Sequence, residues 1–220
     1  MTKILLLKYT FDMYRIEVEV LGQKVHKALR TMIMNGELQP GQKLVQDDLA
    51  EYLGVSRTPI LTAFSKLEQE NLVVTYPRRG AYVKKYTNKE LLDICKIRIC
   101  LESLSVREAA LKAVPEDIVI LEEIMRDFDE GVKKNDNSLL RQADYNFHTE
   151  ILRCSGNQFL YDMLFSYIII VINMSGLMRY VELSQIEHHE ILEAIKQRDP
   201  EQAELLMIKH TKRPIQFLDL

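Results

Sequence analysis

The chain has 220 residues, of which 47% are apolar and 28% charged, with eight glycines, six prolines and a net charge of −3. That composition is globular and helix-rich, long enough for one large or two small cores, and it excludes a disordered, collagen-like or disulfide-stapled chain. Three cysteines, Cys95, Cys100 and Cys154, form no CxxC pair and are odd in number, so they read as buried, reduced thiols of a cytoplasmic protein.

The modest net charge hides an asymmetry. Residues 21–86 hold ten Lys/Arg against six Asp/Glu, whereas residues 87–220 hold sixteen against twenty-three. A basic module joined to an acidic one fits a nucleic-acid reader with a separate sensing domain. Leu5-Leu6-Leu7 is too short for a signal-peptide core. Ile168 to Ile172 is a run of five aliphatic residues, far below the roughly 20 that span a membrane, so no membrane partner is expected.

Residues 1–20 show no clear period and form an N-terminal extension. From Leu21, apolar residues recur at Val25, Leu29, Met32 and Ile33, one face of a helix that Asn35-Gly36 ends. A short helix over about Gln46 to Tyr52 follows, then the turn Gly54-Val55-Ser56-Arg57-Thr58-Pro59. Gly54 suits a left-handed helix end, Ser56 suits an N-cap, and Pro59 falls in the first turn of a second helix running to Glu70. Leu72–Tyr76 and Ala81–Val83 read as two strands of a hairpin closed by Pro77-Arg78-Arg79-Gly80. Three helices and a two-stranded wing make a winged helix-turn-helix over residues 21–86. In such a unit the start of the second helix meets base edges and phosphates. Ser56, Arg57 and Thr58, with Arg78, Arg79 and Gly80 in the wing, are therefore the candidate DNA contacts. His26 has no evident partner in this pattern.

Residues 87–220 read as a mainly α domain, an antiparallel bundle of six helices. Thr87 and Glu90 form a capping box that opens a helix to about Lys112. Pro115 starts a second helix ending near Asn135, and a third runs from about Ser138 to Cys154. The fourth, about Gln158 to Tyr180, is apolar on more than one face, which nominates it with the first as a homodimer interface. Ser184 and Glu187 read as a second capping box opening the fifth helix, which puts His188 in its first turn. Asp199-Pro200 caps the sixth.

Asp144 and His148 are four apart on one helix face, and His188 and His210 lie on two other helices. One carboxylate and three imidazoles converging in a bundle would suit a divalent first-row metal. Spacing leaves the alternative of scattered helix-surface histidines. Arg98 and Glu102 are likewise either a surface i,i+4 pair or a guanidinium facing the cavity, able to grip a carboxylate in bidentate fashion.

Gly36 to Leu44, Leu49 to Ile60, Leu67 to Val73 and Arg79 to Val83 closely resemble the DNA-binding domain of GntR-family transcriptional regulators. Asp47 and Leu61 depart from that pattern, standing where many members carry basic residues that contact DNA. Asp144-Tyr-Asn-Phe-His148, the run His188 to Ile195, and Asp199 through His210 resemble the FCD ligand-sensing domain of the FadR-like regulators, in its shorter, six-helix branch. Carried over position by position, that resemblance implies a metal held by Asp144, His148, His188 and His210, with His188 rather than His189 at the start of H-x-x-I-L-x-A-I. It implies zinc first, with nickel or manganese as other choices, and Arg98 as the grip on a small carboxylate effector. The expected protein is thus a cytoplasmic homodimer that binds double-stranded operator DNA under the control of a small organic acid, and not an enzyme. Two rivals stay open: a regulator with a purely structural metal, and a metal-dependent hydrolase on a helical bundle.

Overall fold

The computed structural model describes residues 21–174 and 180–218. The N-terminal extension expected over residues 1–20, and the last turns expected of the fourth bundle helix, lie wholly or partly outside the described residues. The chain divides into two compact units that meet between Lys85 and Tyr86.

In the first unit, helix α1 covers residues 21–34 and buries Val25, Leu29 and Ile33. Helix α2, Gln46–Leu53, ends at Gly54, whose φ of 65° lets its N–H reach back to the carbonyls of Ala50 and Glu51. Helix α3, Arg57–Gln69, buries Ile60, Ala63, Phe64 and Leu67 on one face. Ser56 holds the N-cap position in an extended conformation, but its side chain makes no capping hydrogen bond. Strands β2, Val73–Tyr76, and β3, Gly80–Val83, pair antiparallel with Val74 opposite Tyr82 and Tyr76 opposite Gly80. The expected two-stranded wing is in fact a three-stranded sheet. Strand β1, Lys43–Leu44, adds to the free edge of β3, with Lys43 opposite Tyr82. Two residues are too few for any alternation to show in a sequence.

The second unit is a bundle of helices α4, Asn88–Lys112; α5, Pro115–Lys134; α6, Asn137–Cys154; α7, Gln158–Met174; α8, Val181–Lys196; and α9, Pro200–Lys212, with a short 3-10 turn at Arg213–Phe217. The Thr87 capping box is present: the Thr87 hydroxyl accepts from the Glu90 N–H, and the Thr87 N–H donates to Glu90 Oε2 at 2.8 Å. Helix α6 is capped by Asp136, which accepts from the N–H groups of Ser138 and Leu139, one turn position earlier than the expected start at Ser138. Gly131 brings α5 close to α6; a Cβ there would stand 2.9 Å from Leu140 Cγ. Phe128, Phe147, Leu121, Met125, Ile151, Ile191 and Met207 fill the core, each no more than 1% exposed. No described helix is long and apolar enough to cross a membrane.

The expected capping box at Ser184 does not form. Helix α8 begins at Val181, three residues earlier, so Ser184 is an interior, buried position and His188 lies in the helix body. The apolar face Val181, Ser184, His188, Ile191 continues one helical stripe through both residues, and that burial decides against an exposed cap. Cys95 and Cys154 are buried as expected, whereas Cys100 is exposed, because it faces away from the α4 core stripe of Ile94, Arg98 and Glu102. Ile168 to Ile172 are all at most 3% exposed within a single chain. That run is therefore core, and the exposed apolar side chains of the two helices expected at a dimer interface are Ile97, Leu104 and Leu111 on α4 and Phe159 and Met163 on α7.

Candidate metal centre and DNA-reading surface

Ser56, Arg57 and Thr58 sit side by side at the exposed start of α3. Arg57 is held by Asp47 at the start of α2: its Nη2 donates to Asp47 Oδ2 at 2.8 Å and its Nε meets Oδ1. At the wing tip Arg78 and Arg79 are exposed, Arg78 in the left-handed region at φ 62° and Gly80 at φ 91°. The Tyr82 hydroxyl donates to the Arg79 carbonyl at 3.2 Å, and the Arg79 guanidinium lies 5.9 Å from the Tyr76 ring centre. The tip is thus a braced cationic turn. Leu61 is half exposed on α3. His26 does have a partner: its Nε2 lies 2.8 Å from Glu70 Oε1.

In the helical unit, Asp144 and His148 on α6, His188 on α8 and His210 on α9 bring their ligand atoms within 4.8 Å of one another. All four are buried, at 7% exposure or less. His210 Nε2 lies 3.2 Å from both His148 Nε2 and His188 Nε2, and His188 Nε2 lies 3.6 Å from Asp144 Oδ1. Behind the imidazoles stand two buried carboxylates. His148 Nδ1 is 2.6 Å from Glu102 Oε2, and His210 Nδ1 is 2.9 Å from Glu187 Oε2. The hydrogen bond to Glu187 keeps the His210 proton on Nδ1 and turns its Nε2 lone pair inward, and the Glu102 carboxylate beside His148 Nδ1 favours the same tautomer there.

With the ring protons of His148 and His210 on Nδ1, their Nε2 lone pairs face one another at 3.2 Å beside the Asp144 carboxylate, an unfavourable arrangement by itself. Asp144 Oδ1 and His188 Nδ1 have no hydrogen-bond partner although both are buried. A divalent cation among the four ligand atoms would remove the first of these defects and the lone-pair repulsion together. An N3O donor set fits zinc, nickel or manganese, and a site with open positions admits water or an acid.

The electrostatics run the same way. Burial, with the neighbouring His148 adding to it, pushes His210 down to about 3, and burial with His210 and His148 pushes His188 well below the ordinary histidine value. Both are neutral at pH 7, as metal ligation requires. Burial alone would raise Glu102, but the guanidinium of Arg98 and the imidazole of His148 outweigh it and hold the carboxyl well below the usual range. Arg98 and Glu102 are therefore a buried pair, not a surface one. Arg98 Nε donates to Glu102 Oε1, while its guanidinium also lines a cavity with Asp144, His148, Tyr180, Ser184 and His210. About 30 Å³ of that cavity is open to the centre of a water molecule, enough for water or a few heavy atoms beside the imidazoles. On the far side Glu187 Oε1 takes Arg213 and, at 3.7 Å, Lys209. Phe147 stacks on His188 at 4.4 Å between ring centres and fixes its plane.

The sequence pattern named the four residues that cluster here, together with Arg98, but missed Glu187 as a partner of His210, because the expected capping box gave that carboxylate another task. A second grouping, Asp117, Glu150 and Cys154, also gathers metal-ligand atoms. Arg153 already occupies it, donating to Asp117 Oδ1 and Glu150 Oε1, and burial pushes the Cys154 thiol up to about 12. A guanidinium in the middle and a protonated thiol leave no room for an ion.

The chain matches the family model for bacterial regulatory proteins of the gntR family over residues 21–83 and the FCD domain model over residues 93–213. It is 28% identical over 200 residues to the uncharacterised HTH-type transcriptional regulator YdhC of Bacillus subtilis, covering 88% of each chain. It is also 28% identical over 191 residues to the HTH-type transcriptional regulator McbR of Escherichia coli, covering 82% of this chain and 85% of that one. The solved structure of E. coli McbR/YncC superposes with a TM-score of 0.80 at 25% identity, over 90% of this chain and 96% of that one. A winged helix-turn-helix joined to a helical FCD domain, with matches to both models, makes this chain a member of the GntR family of DNA-binding transcriptional regulators, in the FadR-like branch that carries an FCD domain.

Proposed function

We propose that this regulator holds one divalent ion, zinc first, through Asp144, His148, His188 and His210, and that a small carboxylate completes the coordination while pairing with Arg98. The observation that carries this reading is the convergence of three imidazole Nε2 atoms and an unpaired Asp144 oxygen, with Asp144, His148 and His210 on the wall of a cavity that Arg98 also lines. The ion supplies the electrostatic anchor for the acid. Arg98 supplies orientation: Glu102 engages its Nε, and its terminal nitrogens are the groups that meet a carboxylate. The narrow cavity selects an acid of few carbons.

DNA is engaged by Ser56, Arg57 and Thr58 at the start of α3 and by Arg78, Arg79 and Gly80 in the wing. Two copies of the chain are needed to read two half-sites with two-fold symmetry, and the protein acts as a homodimer. Effector binding changes operator affinity only by favouring one arrangement of the paired DNA-reading units over another. A hydrolytic role fits less well. The two carboxylates nearest the imidazoles, Glu102 and Glu187, are tied to ring nitrogens and to Arg98 and Arg213, so neither is a free general base.

Metal analysis of the purified protein, joined to a thermal-shift screen of short mono- and dicarboxylates, tests the reading. Wild type should carry close to one divalent ion per chain and melt higher with at least one acid, and His188→Ala should lose both properties while its DNA-binding unit stays folded. Protein that carries no metal and gains none from zinc, nickel or manganese would defeat the proposal. Metal without any carboxylate response would leave the ion a structural part alone.

A further inference from the structure

Asp47 and Arg57 face one another across the turn that joins α2 to α3. A guanidinium has two forks, a side fork made by Nε and one Nη, and an end fork made by the two Nη groups. Asp47 fills the side fork: Nη2 donates to Oδ2 at 2.8 Å and Nε meets Oδ1. The end fork is left. That fork is the one whose two parallel donors match O6 and N7 on the major-groove edge of guanine. Both side chains keep most of their surface open, at 69% and 59%, so the pair is presented rather than buried.

The acid has a cost at this place. Every negative charge on a DNA-facing surface works against the phosphates, which supply the sequence-independent part of affinity. A chain selected for tight phosphate binding would do better with a neutral or basic side chain at position 47. One bland account remains: Asp47 and Asp48 both lie in the first turn of α2, where acids favour the helix dipole. That account gives Asp47 no reason to take the fork of Arg57, and it makes no link to base preference.

We propose that Asp47 is a specificity-determining positioning residue, which grips Arg57 by its side fork so that the end fork reads a guanine, exchanging non-specific phosphate affinity for base discrimination. The inference rests on the assignment of Arg57 to the DNA-reading surface. Free of Asp47, the long Arg57 side chain would sample many rotamers and reach phosphates as readily as a base edge.

The test selects duplexes from a library with a randomised core, using the full-length wild type, Asp47→Asn, Asp47→Glu and Arg57→Ala. The same proteins are titrated against one scrambled 30-base-pair duplex at several salt concentrations, and a thermal shift reports folding. Wild type should enrich a G·C pair at one position of each half-site, and Arg57→Ala should lose it. Asp47→Asn should weaken that preference about tenfold and yet bind the scrambled duplex several-fold tighter, the two effects having opposite signs. Asp47→Glu keeps the charge but moves the carboxylate by one methylene. It should keep the weak binding to the scrambled duplex and lose part of the guanine preference, which separates geometry from charge. A merely structural Asp47 would lower both affinities together and leave the preference intact, and that result overturns the proposal. If Arg57→Ala loses the preference and neither Asp47 variant does, only the role of Asp47 falls. If Arg57→Ala retains it, the assignment of Arg57 falls as well.

Discussion

Glu187 Oε2 lies 2.9 Å from Nδ1 of His210, so a carboxylate on α8 sets the tautomer of an imidazole on α9, with His188 next to it in sequence facing the same ring. Glu187 is 1% exposed and its other oxygen takes Arg213, which holds the carboxylate in place. Replacing Glu187 by Gln keeps the shape but removes the charge behind the ring. Metal affinity should fall roughly 10- to 100-fold, as is usual for such outer partners. Zinc competition titration of Glu187→Gln against wild type reads this directly; unchanged affinity would mean that Glu187 serves packing alone.

Chelator-treated protein should lose stability as the pH falls from about 6.5. His210 is pushed down to about 3 in the fold, and His188 is pushed well below its ordinary value. Unfolded histidines near 6.5 therefore bind protons that the folded ones refuse, and stability drops through the window from 6.5 towards about 3. Glu102, held low in the fold, adds to the loss below its ordinary value near 4.5. Melting temperature against pH, measured with and without zinc, checks both the sign and the window. Loaded protein should melt higher near neutral pH and approach the chelated curve in acid, because protons compete for the same nitrogens.

Arg79→Ala should weaken binding to DNA of any sequence by a similar factor and make the salt slope shallower by about one. The side chain stands at an exposed wing tip that Tyr82 and Tyr76 brace. Fluorescence anisotropy on two unrelated duplexes over a salt series measures it. A sequence-dependent loss would instead make Arg79 a base reader.

Cysteine labelling should separate the three thiols. Cys100 is exposed, whereas Cys95 and Cys154 are buried, and burial holds both of these thiols above their ordinary value, Cys154 at about 12. The thiolate is the reacting form, so folded protein near pH 8 should take up one equivalent of maleimide quickly and the other two only on unfolding. Mass spectrometry of the labelled peptides counts them. Rapid modification of Cys154 in folded protein would contradict its burial among Asp117, Glu150 and Arg153.

Phe147 stacks on His188 and is fully buried. Phe147→Ala should destabilise the helical unit by about 3–5 kcal/mol through the cavity it leaves. Phe147→Leu should cost less while still freeing the His188 ring to tilt, so its metal affinity should fall further than its stability. Paired denaturation and metal titrations of the two variants resolve the contributions.

The sequence by itself determined the local structure. Gly54 had to end α2, because a left-handed residue is needed there, and Thr87 with Glu90 and Asp199 with Pro200 fixed two helix starts through short-range hydrogen bonds. Asp144 and His148 lay on one face by helical spacing alone. The capping pattern at Ser184 also looked local, yet it failed, since burial of Ser184 and His188 in the bundle outweighed a cap worth about 1 kcal/mol. Tertiary structure alone decided that Glu102 and Glu187 stand behind His148 and His210, that Cys100 faces outward, and that β1 joins the wing. It also decided that Asp47, ten residues before Arg57, takes its side fork. Caps and periodicities depend on neighbours within one turn, which any window of sequence contains. Which charge meets which ring depends on how whole helices are turned and packed, and no local pattern carries that information.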